Sequence, residues 1–300
     1  MRNKIAQARY ERKETRDAYL FLLPLLALVI VFVLFPVLAT SLNSLFRDVT
    51  YLARKFVGLS NYASLAADFD FQRAARFTCL FTAAAVFFEA VLGLVFALLL
   101  NESFRGRGLL RTVVLIPWAI PTIVSAKIWK LIFDYTYGVL NFIVLALGLS
   151  SEKINWLGSS ISAFWSLVAA EVWKTTPFMV LILLAGLQAI PREVYQQAQI
   201  DGARMGRRLW RITLPLVWPV LTIALIFRTI DSLRIFDLVY VLTGGGPGGS
   251  TKTLSMLGFE YYSNDSFGRG SAVSVITFLL VFAVTIAYIK LGRFERSLKK

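Results

Sequence analysis

Six apolar runs fall along this 300-residue chain, at about residues 18–41, 77–100, 112–133, 160–190, 212–243 and 270–289. Each is long enough to cross the ~30 Å hydrocarbon core of a bilayer as a helix, which needs about 20 residues. No water is available there to satisfy peptide groups, so such runs must bond internally as helices. The pattern predicts an all-α polytopic membrane protein of six transmembrane helices, with a six-span membrane domain over residues 18–290. The runs at 160–190 and 212–243 exceed what a span needs and call for tilt, a break, or ends outside the lipid. The run at 18–41 is too long for the core of a cleaved signal and reads as an uncleaved first span.

Charge placement gives the orientation. The net charge is +14, which in a soluble chain would suggest nucleic acid. Of the 32 Lys and Arg, however, 19 lie in segments 1–17, 101–111, 191–211 and 290–300, against 8 in segments 42–76, 134–159 and 244–269. That asymmetry is the positive-inside rule. It predicts a cytoplasmic basic segment 1–17, a cytoplasmic tail 291–300, and both termini on the cytoplasmic side of the membrane. The charge is topology, and no nucleic acid is called for. The lone Cys79 and the absence of His exclude a disulfide framework, a Cys/His zinc site and His-based catalysis, so no catalytic residue and no metal ligand is expected.

Between the fourth and fifth runs lies a polar island, residues 190–219, reading IPREVYQQAQIDGARMGRRLWRITLPLVWP. Pro191 suits the first turn of a helix and Glu193 suits the positive end of its dipole. A helix over 191–200, an Asp201-Gly202 turn and a second short helix over 203–210 follow, Gly202 supplying a positive φ. Such a helix-turn-helix, carrying Arg192, Arg204, Arg207, Arg208 and Arg211, can be pushed as one body.

This island resembles the cytoplasmic coupling loop, or EAA motif, of ABC-importer permeases. The pattern places Glu-Ala-Ala, three residues, Gly, nine residues and Ile-x-Leu-Pro. Here those places hold Gln196, Gln197, Ala198, Gly202, Ile212, Leu214 and Pro215. Gln196-Gln197 replaces Glu-Ala, which removes the carboxylate the pattern carries. The resemblance implies that Gly202 makes the turn, that Arg192, Glu193, Gln196 and Ala198 form a coupling helix face that docks in an ATPase cleft beside Asp201, and that Arg207 and Arg208 meet its rim.

Ionisable residues inside apolar runs are costly and normally face a protein interior or a water-filled path. They are Glu89, Lys127, Lys130, Glu171, Lys174, Arg228, Asp231, Arg234 and Asp237. Glu171 and Lys174 are neighbours on one helix face, with Trp173 and Phe178 close by. Flat rings and charged groups suit a ring-shaped polyhydroxylated solute, and span-to-span ion pairing explains the same residues. Arg228, Asp231, Arg234 and Asp237 alternate in sign every three residues, which no straight helix can align on one stripe, so a break near Asp231 is expected. Glu89 has no partner in its own run and must pair across helices or titrate. With Trp129, the candidate pathway set is Glu89, Trp129, Glu171, Trp173, Lys174, Phe178, Arg228 and Asp231.

Gly244, Gly246 and Gly249 in TGGGPGGSTKT satisfy G-x-G-x-x-G, yet no strand-helix unit flanks them and Pro247 removes an N–H a phosphate would use. No ATP site is expected on this chain.

Leu115-Ile-Pro-Trp-Ala-Ile-Pro121 with Trp129-Lys130, Glu171-Val-Trp-Lys-Thr-Thr-Pro-Phe178, Phe236-Asp237 and Leu242-Thr-Gly-Gly-Gly-Pro247 extend the resemblance. As a set they are similar to the sugar class of binding-protein-dependent permeases, and within it to the trehalose and maltose permeases. The resemblance implies a second permease in a heterodimer, two copies of a cytoplasmic ATPase holding the ATP and Mg, and an extracytoplasmic sugar-binding protein. Transport of a disaccharide such as trehalose or maltose would then follow alternating access, with no enzyme activity on this chain. The alternative is an ion-coupled secondary sugar transporter using Glu89 or Asp231, against which stand six spans without an evident inverted repeat.

Overall fold

A computed structural model describes residues 2–291, with the backbone alone for residues 2–13 and 16. Residue 1 of the basic segment and 292–300 of the tail lie outside the described residues. α1 (Arg2–Val29), a π turn (Ile30–Leu34) and α2 (Phe35–Asn43) make one continuous helical rod. An antiparallel hairpin of β1 (Phe46–Val49) and β2 (Leu52–Phe56) and a short α3 (Ser60–Ala67) follow. Then come α4 (Phe69–Asn101), α5 (Arg107–Ala119), α6 (Thr122–Ile132), α7 (Val139–Ala146) and α8 (Ser160–Gln188). The chain continues through α9 (Arg192–Ile200), α10 (Met205–Arg208), a second π turn (Leu209–Thr213) and α11 (Leu214–Leu233), and closes with α12 (Asp237–Leu242), α13 (Leu254–Ser263) and α14 (Phe267–Leu291).

α8 is the axis. In its most apolar stretch 72% of residues are buried, against 33% in α4 and 0% in the first span. It packs on α4, α5 and α11. Small residues set how closely: a Cβ added to Gly93 of α4 would stand 2.6 Å from Met179 Cβ, and one on Gly186 of α8 would stand 2.9 Å from Val220 Cγ1 of α11. One apolar cluster, around Leu183, Val217 and Ala97, fills the end of the bundle nearest the loop after α8. Another, around Phe81, Leu167 and Leu238, fills the middle.

Prolines decide where the spans depart from the six straight helices expected. The 112–133 run is a pair, α5 and α6, bent by 94°. Pro121 has no N–H and drives Ile120 extended, to φ −73° and ψ 131°, so the helix stops and restarts. Among the described residues five helices are therefore long and apolar enough to cross alone, with this bent pair as the sixth crossing if it is one span. The fifth span also shifts: its helix runs Met205–Leu233 rather than 212–243, and it breaks three residues beyond Asp231, at Arg234–Phe236. The short helix expected over 203–210 is not separate. α10 passes through the π turn straight into α11, because Pro215 cannot donate to the carbonyl of Arg211 and the wider turn takes Leu214 N–H to Leu209 instead. The first rod repeats the device: Pro36 follows a π turn in which Phe35 N–H bonds the carbonyl of Ile30.

Side chains cap the N-termini of α4, α8 and α13: Asp68, Ser159 and Thr253. Asp68 Oδ1 accepts from Asp70 N at 2.8 Å and Phe71 N at 3.4 Å, and its Oδ2 accepts from Tyr261 Oη at 3.0 Å. Partial burial opposes ionisation of Asp68, but the bonds from Tyr261 and the two amides outweigh it and hold the carboxyl below its ordinary range. Partial burial and the same bond push the Tyr261 phenol up to about 12. Asp68→Ala should cost about 1 kcal/mol of stability, as lost N-caps do. A carboxylate whose folded pKa is depressed contributes above its unfolded pKa and loses that contribution as pH falls through the folded value. Thermal melts in detergent should therefore show the difference between wild type and variant shrinking below about pH 4.

Candidate translocation and coupling site

The apolar sequence around Arg228 leaves its guanidinium no water, so it must find anions within the bundle. It finds two. Arg228 Nε lies 2.7 Å from Glu89 Oε2 on α4, and Nη2 lies 3.2 Å from Glu89 Oε1 and 2.8 Å from Glu171 Oε1 on α8. Glu89 is 0% exposed, Arg228 4% and Glu171 6%. Thr175 Oγ1, one turn beyond Glu171, stands 2.7 Å from Glu89 Oε1 and 2.6 Å from the Glu171 carbonyl, two acceptors sharing one hydroxyl proton. Thr175 lies beside Glu171 and Lys174 in the same motif, and spacing alone does not show that it serves Glu89.

The expected Glu171–Lys174 neighbourhood does not become an ion pair. Lys174 Nζ instead donates to the Ile120 carbonyl at 2.8 Å, at the bend between α5 and α6. That carbonyl has no intrahelical partner and sits at the negative end of α5, where a cation is favoured. The alternating ladder also splits. Asp231 Oδ2 lies 3.5 Å from Arg228 Nη1 and its Oδ1 lies 3.4 Å from Arg234 Nη2, with the Asp231 side chain 55% exposed. Asp237 is beyond the break, in the first turn of α12.

The aromatic candidates flank α8. Trp129 meets Trp173 edge to face with centroids 5.7 Å apart, and Phe178 lies between Trp118 at 6.1 Å and Phe227 at 6.3 Å. Trp173, Trp118, Phe227 and Asp231 are each exposed, so α8, α5 and α11 present open ring faces and α11 an open carboxylate. A sugar ring offers C–H faces to the former and hydroxyls to the latter.

The loop between α8 and α11 is a closed turn. Pro191 precedes α9 as its cap rather than lying in its first turn. At the other end Gly202 takes φ +70°. Gly202 N–H bonds Gln199 O at 3.0 Å and Ala203 N–H bonds Ala198 O at 2.9 Å, the paired bonds of a Schellman C-cap. Tyr195 Oη lies 3.2 Å from Thr213 Oγ1, tying α9 to the π turn. Arg192, Glu193, Gln196, Asp201, Gly202 and Arg207 are exposed and Arg208 is half-buried. Ala198 corrects the expected docking face: it is buried, because its side of α9 is turned toward its own chain. Ile200 and Trp210, which sequence reasoning passed over, are instead 86% and 72% exposed.

The glycine-rich loop folds on itself. Thr251 Oγ1 donates to Gly246 O at 2.7 Å, and Arg73 Nη1 reaches Gly248 O at 2.7 Å.

Comparison with known proteins gives concordant results. The family model described as "Binding-protein-dependent transport system inner membrane component" matches residues 89–300. The trehalose/maltose transport system permease protein of Thermococcus litoralis is 54% identical over 286 residues, covering 95% of this chain and 96% of that protein. The sulfoquinovosyl glycerol transport system permease protein of Agrobacterium fabrum is 41% identical, covering 90% of this chain and 87% of that protein. In fold, a chain of a bacterial alginate ABC transporter solved with an alginate pentasaccharide-bound periplasmic protein superposes with TM-score 0.82 at 20% identity, covering 95% of this chain and 96% of that one.

Arg228→Met should leave two carboxylates buried without a cation, at a cost of about 3–5 kcal/mol. The yield of monodisperse chain in mild detergent should fall sharply, and adding Glu89→Gln and Glu171→Gln should restore much of it.

Proposed function

Since the chain belongs to the family of binding-protein-dependent transport system inner membrane components, we propose that it is the permease subunit of an ATP-driven importer for a sugar of disaccharide size, trehalose or maltose being the first candidates. The observation that carries the substrate is 54% identity along 95% of the chain to a trehalose/maltose permease. The protein is an integral inner-membrane component and not itself an enzyme. ATP is hydrolysed on a separate subunit, which holds the ATP and Mg, and an extracytoplasmic binding protein delivers the sugar. A second permease completes a heterodimer over two ATPase copies, with both termini cytoplasmic.

On this reading the 190–219 loop receives the ATPase. A helix closed by a Schellman turn and tied through Tyr195 to Thr213 cannot absorb a push by bending, so the displacement passes to α8 and α11. Arg192, Glu193, Gln196 and Asp201 offer polar contacts, and Ile200 an apolar one. Gln196 contacts by hydrogen bond where a Glu would bring charge. Against the ion-coupled alternative, Glu89 is committed to Arg228 and Thr175, and Asp231 is paired with Arg228 and Arg234.

Purification of the tagged chain from its native membrane in mild detergent should recover an ATPase and a second permease, with hydrolysis stimulated by sugar-loaded binding protein. A chain that purifies alone and supports no hydrolysis overturns the assignment. Gly202→Asp should abolish uptake while the complex still assembles. The space beside Gly202 is open, so the defect comes from φ +70° and from the added side chain at the docking surface. Trp173→Ala should raise the half-saturating sugar concentration about tenfold, equivalent to ~1.4 kcal/mol, without lowering expression.

A further inference from the structure

We infer that Arg228 is a positioning residue that clasps α4 to α8 and α11, so that the three spans move as one body when the loop between α8 and α11 is displaced. The inference rests on the importer reading, and it assigns a role that neither the coupling loop nor the sugar surface supplies. α8 and α11 are joined by the loop itself, residues 189–204, and a push on that loop reaches both directly. α4 has no such connection. It is held laterally, and Arg228 is the centre of what holds it: one guanidinium grips Glu89 of α4 through Nε and Nη2 and Glu171 of α8 through Nη2.

Contacts on either side along the same seams lock the arrangement. Ser232 Oγ of α11 donates to Thr82 Oγ1 of α4 at 3.2 Å, both residues buried. Gly93 of α4 admits Met179 of α8 so closely that a Cβ there would lie 2.6 Å from Met179 Cβ. Gly186 of α8 admits Val220 of α11 in the same way. Parting α4 from α11 would leave Glu89, with no exposed surface, facing hydrocarbon without a cation, and that penalty opposes separation at every stage of a transport cycle. Lysine cannot substitute, because an ammonium is a single point charge and cannot span two carboxylates as a planar guanidinium does.

The test uses the assembled complex with Cys79→Ala, which removes the chain's one cysteine, and with Thr82→Cys and Ser232→Cys across the α4–α11 seam. If the spans move together, oxidation should form the disulfide and leave sugar uptake and stimulated ATP hydrolysis at the level of the reduced sample. Loss of uptake on oxidation, restored by reductant, would show that α4 and α11 part during transport and would overturn the inference. Failure of the pair to cross-link overturns it as well. Arg228→Lys supplies the second readout: assembled complex should still hydrolyse ATP in response to loaded binding protein, while sugar moved per ATP falls several-fold. A merely structural residue would lower uptake and hydrolysis together, in proportion to the complex recovered. The wild-type complex separates the two readings, since absence of sugar-stimulated hydrolysis there sinks the importer assignment itself.

Discussion

A guanidinium in the middle of a membrane bundle cannot be left alone, and the arrangement of α4, α8 and α11 follows from that. One cation faces two buried carboxylates, so the cluster carries its charges only because Arg228 donates to both and Thr175 adds a hydroxyl. Apolar packing alone would let these helices slide past one another at little cost, since lipid is as apolar as a leucine face. A bidentate charge contact fixes azimuth and height together. The glycine seams at Gly93 and Gly186 then convert that register into close backbone approach.

Around this fixed core the chain uses proline to place its flexures and Gly202 to place the sharp turn after α9. Pro36 and Pro215 each follow a π turn, and each helix continues; Pro121 follows an extended residue, and the helix breaks by 94°. The difference lies in the preceding residue. At Pro36 and Pro215 that residue stays helical and a wider turn absorbs the missing N–H; at Pro121 it is extended and the helix must restart. Lys174 fills the carbonyl exposed by that restart, so the bend is tied to α8 rather than left loose.

Much of this could be read from the residues. The apolar runs locate the spans, and Gly202 after Asp201 marks a turn that needs a positive φ. Glu89, lacking a partner in its own span, had to find one across the bundle. The partner itself could not be read. Nothing in the spacing of Glu89, Glu171 and Arg228 places them on facing helix surfaces, because that depends on how three helices are rotated and staggered. Local spacing favoured Glu171 with Lys174, yet tertiary geometry offered each a better group. The burial of Ala198 was hidden for a related reason, since which side of α9 turns inward depends on how the helix lies against the chain around Thr213.

The same geometry separates two kinds of polar residue that the sequence lists together. Glu89, Glu171 and Arg228 are buried, Glu89 completely, and their hydrogen-bonding groups are taken up by one another. Asp231 keeps an open side chain three residues from the seal, and Trp173 and Phe227 present ring faces on α8 and α11. On the importer reading, a sugar must pass along that open face. The residues it meets are then carried on helices whose mutual position the sealed cluster fixes. Asp231, which contacts both Arg228 and Arg234, stands where the open groups meet the sealed cluster, so on that reading a change of sugar is accommodated more freely at the rings than at this carboxylate.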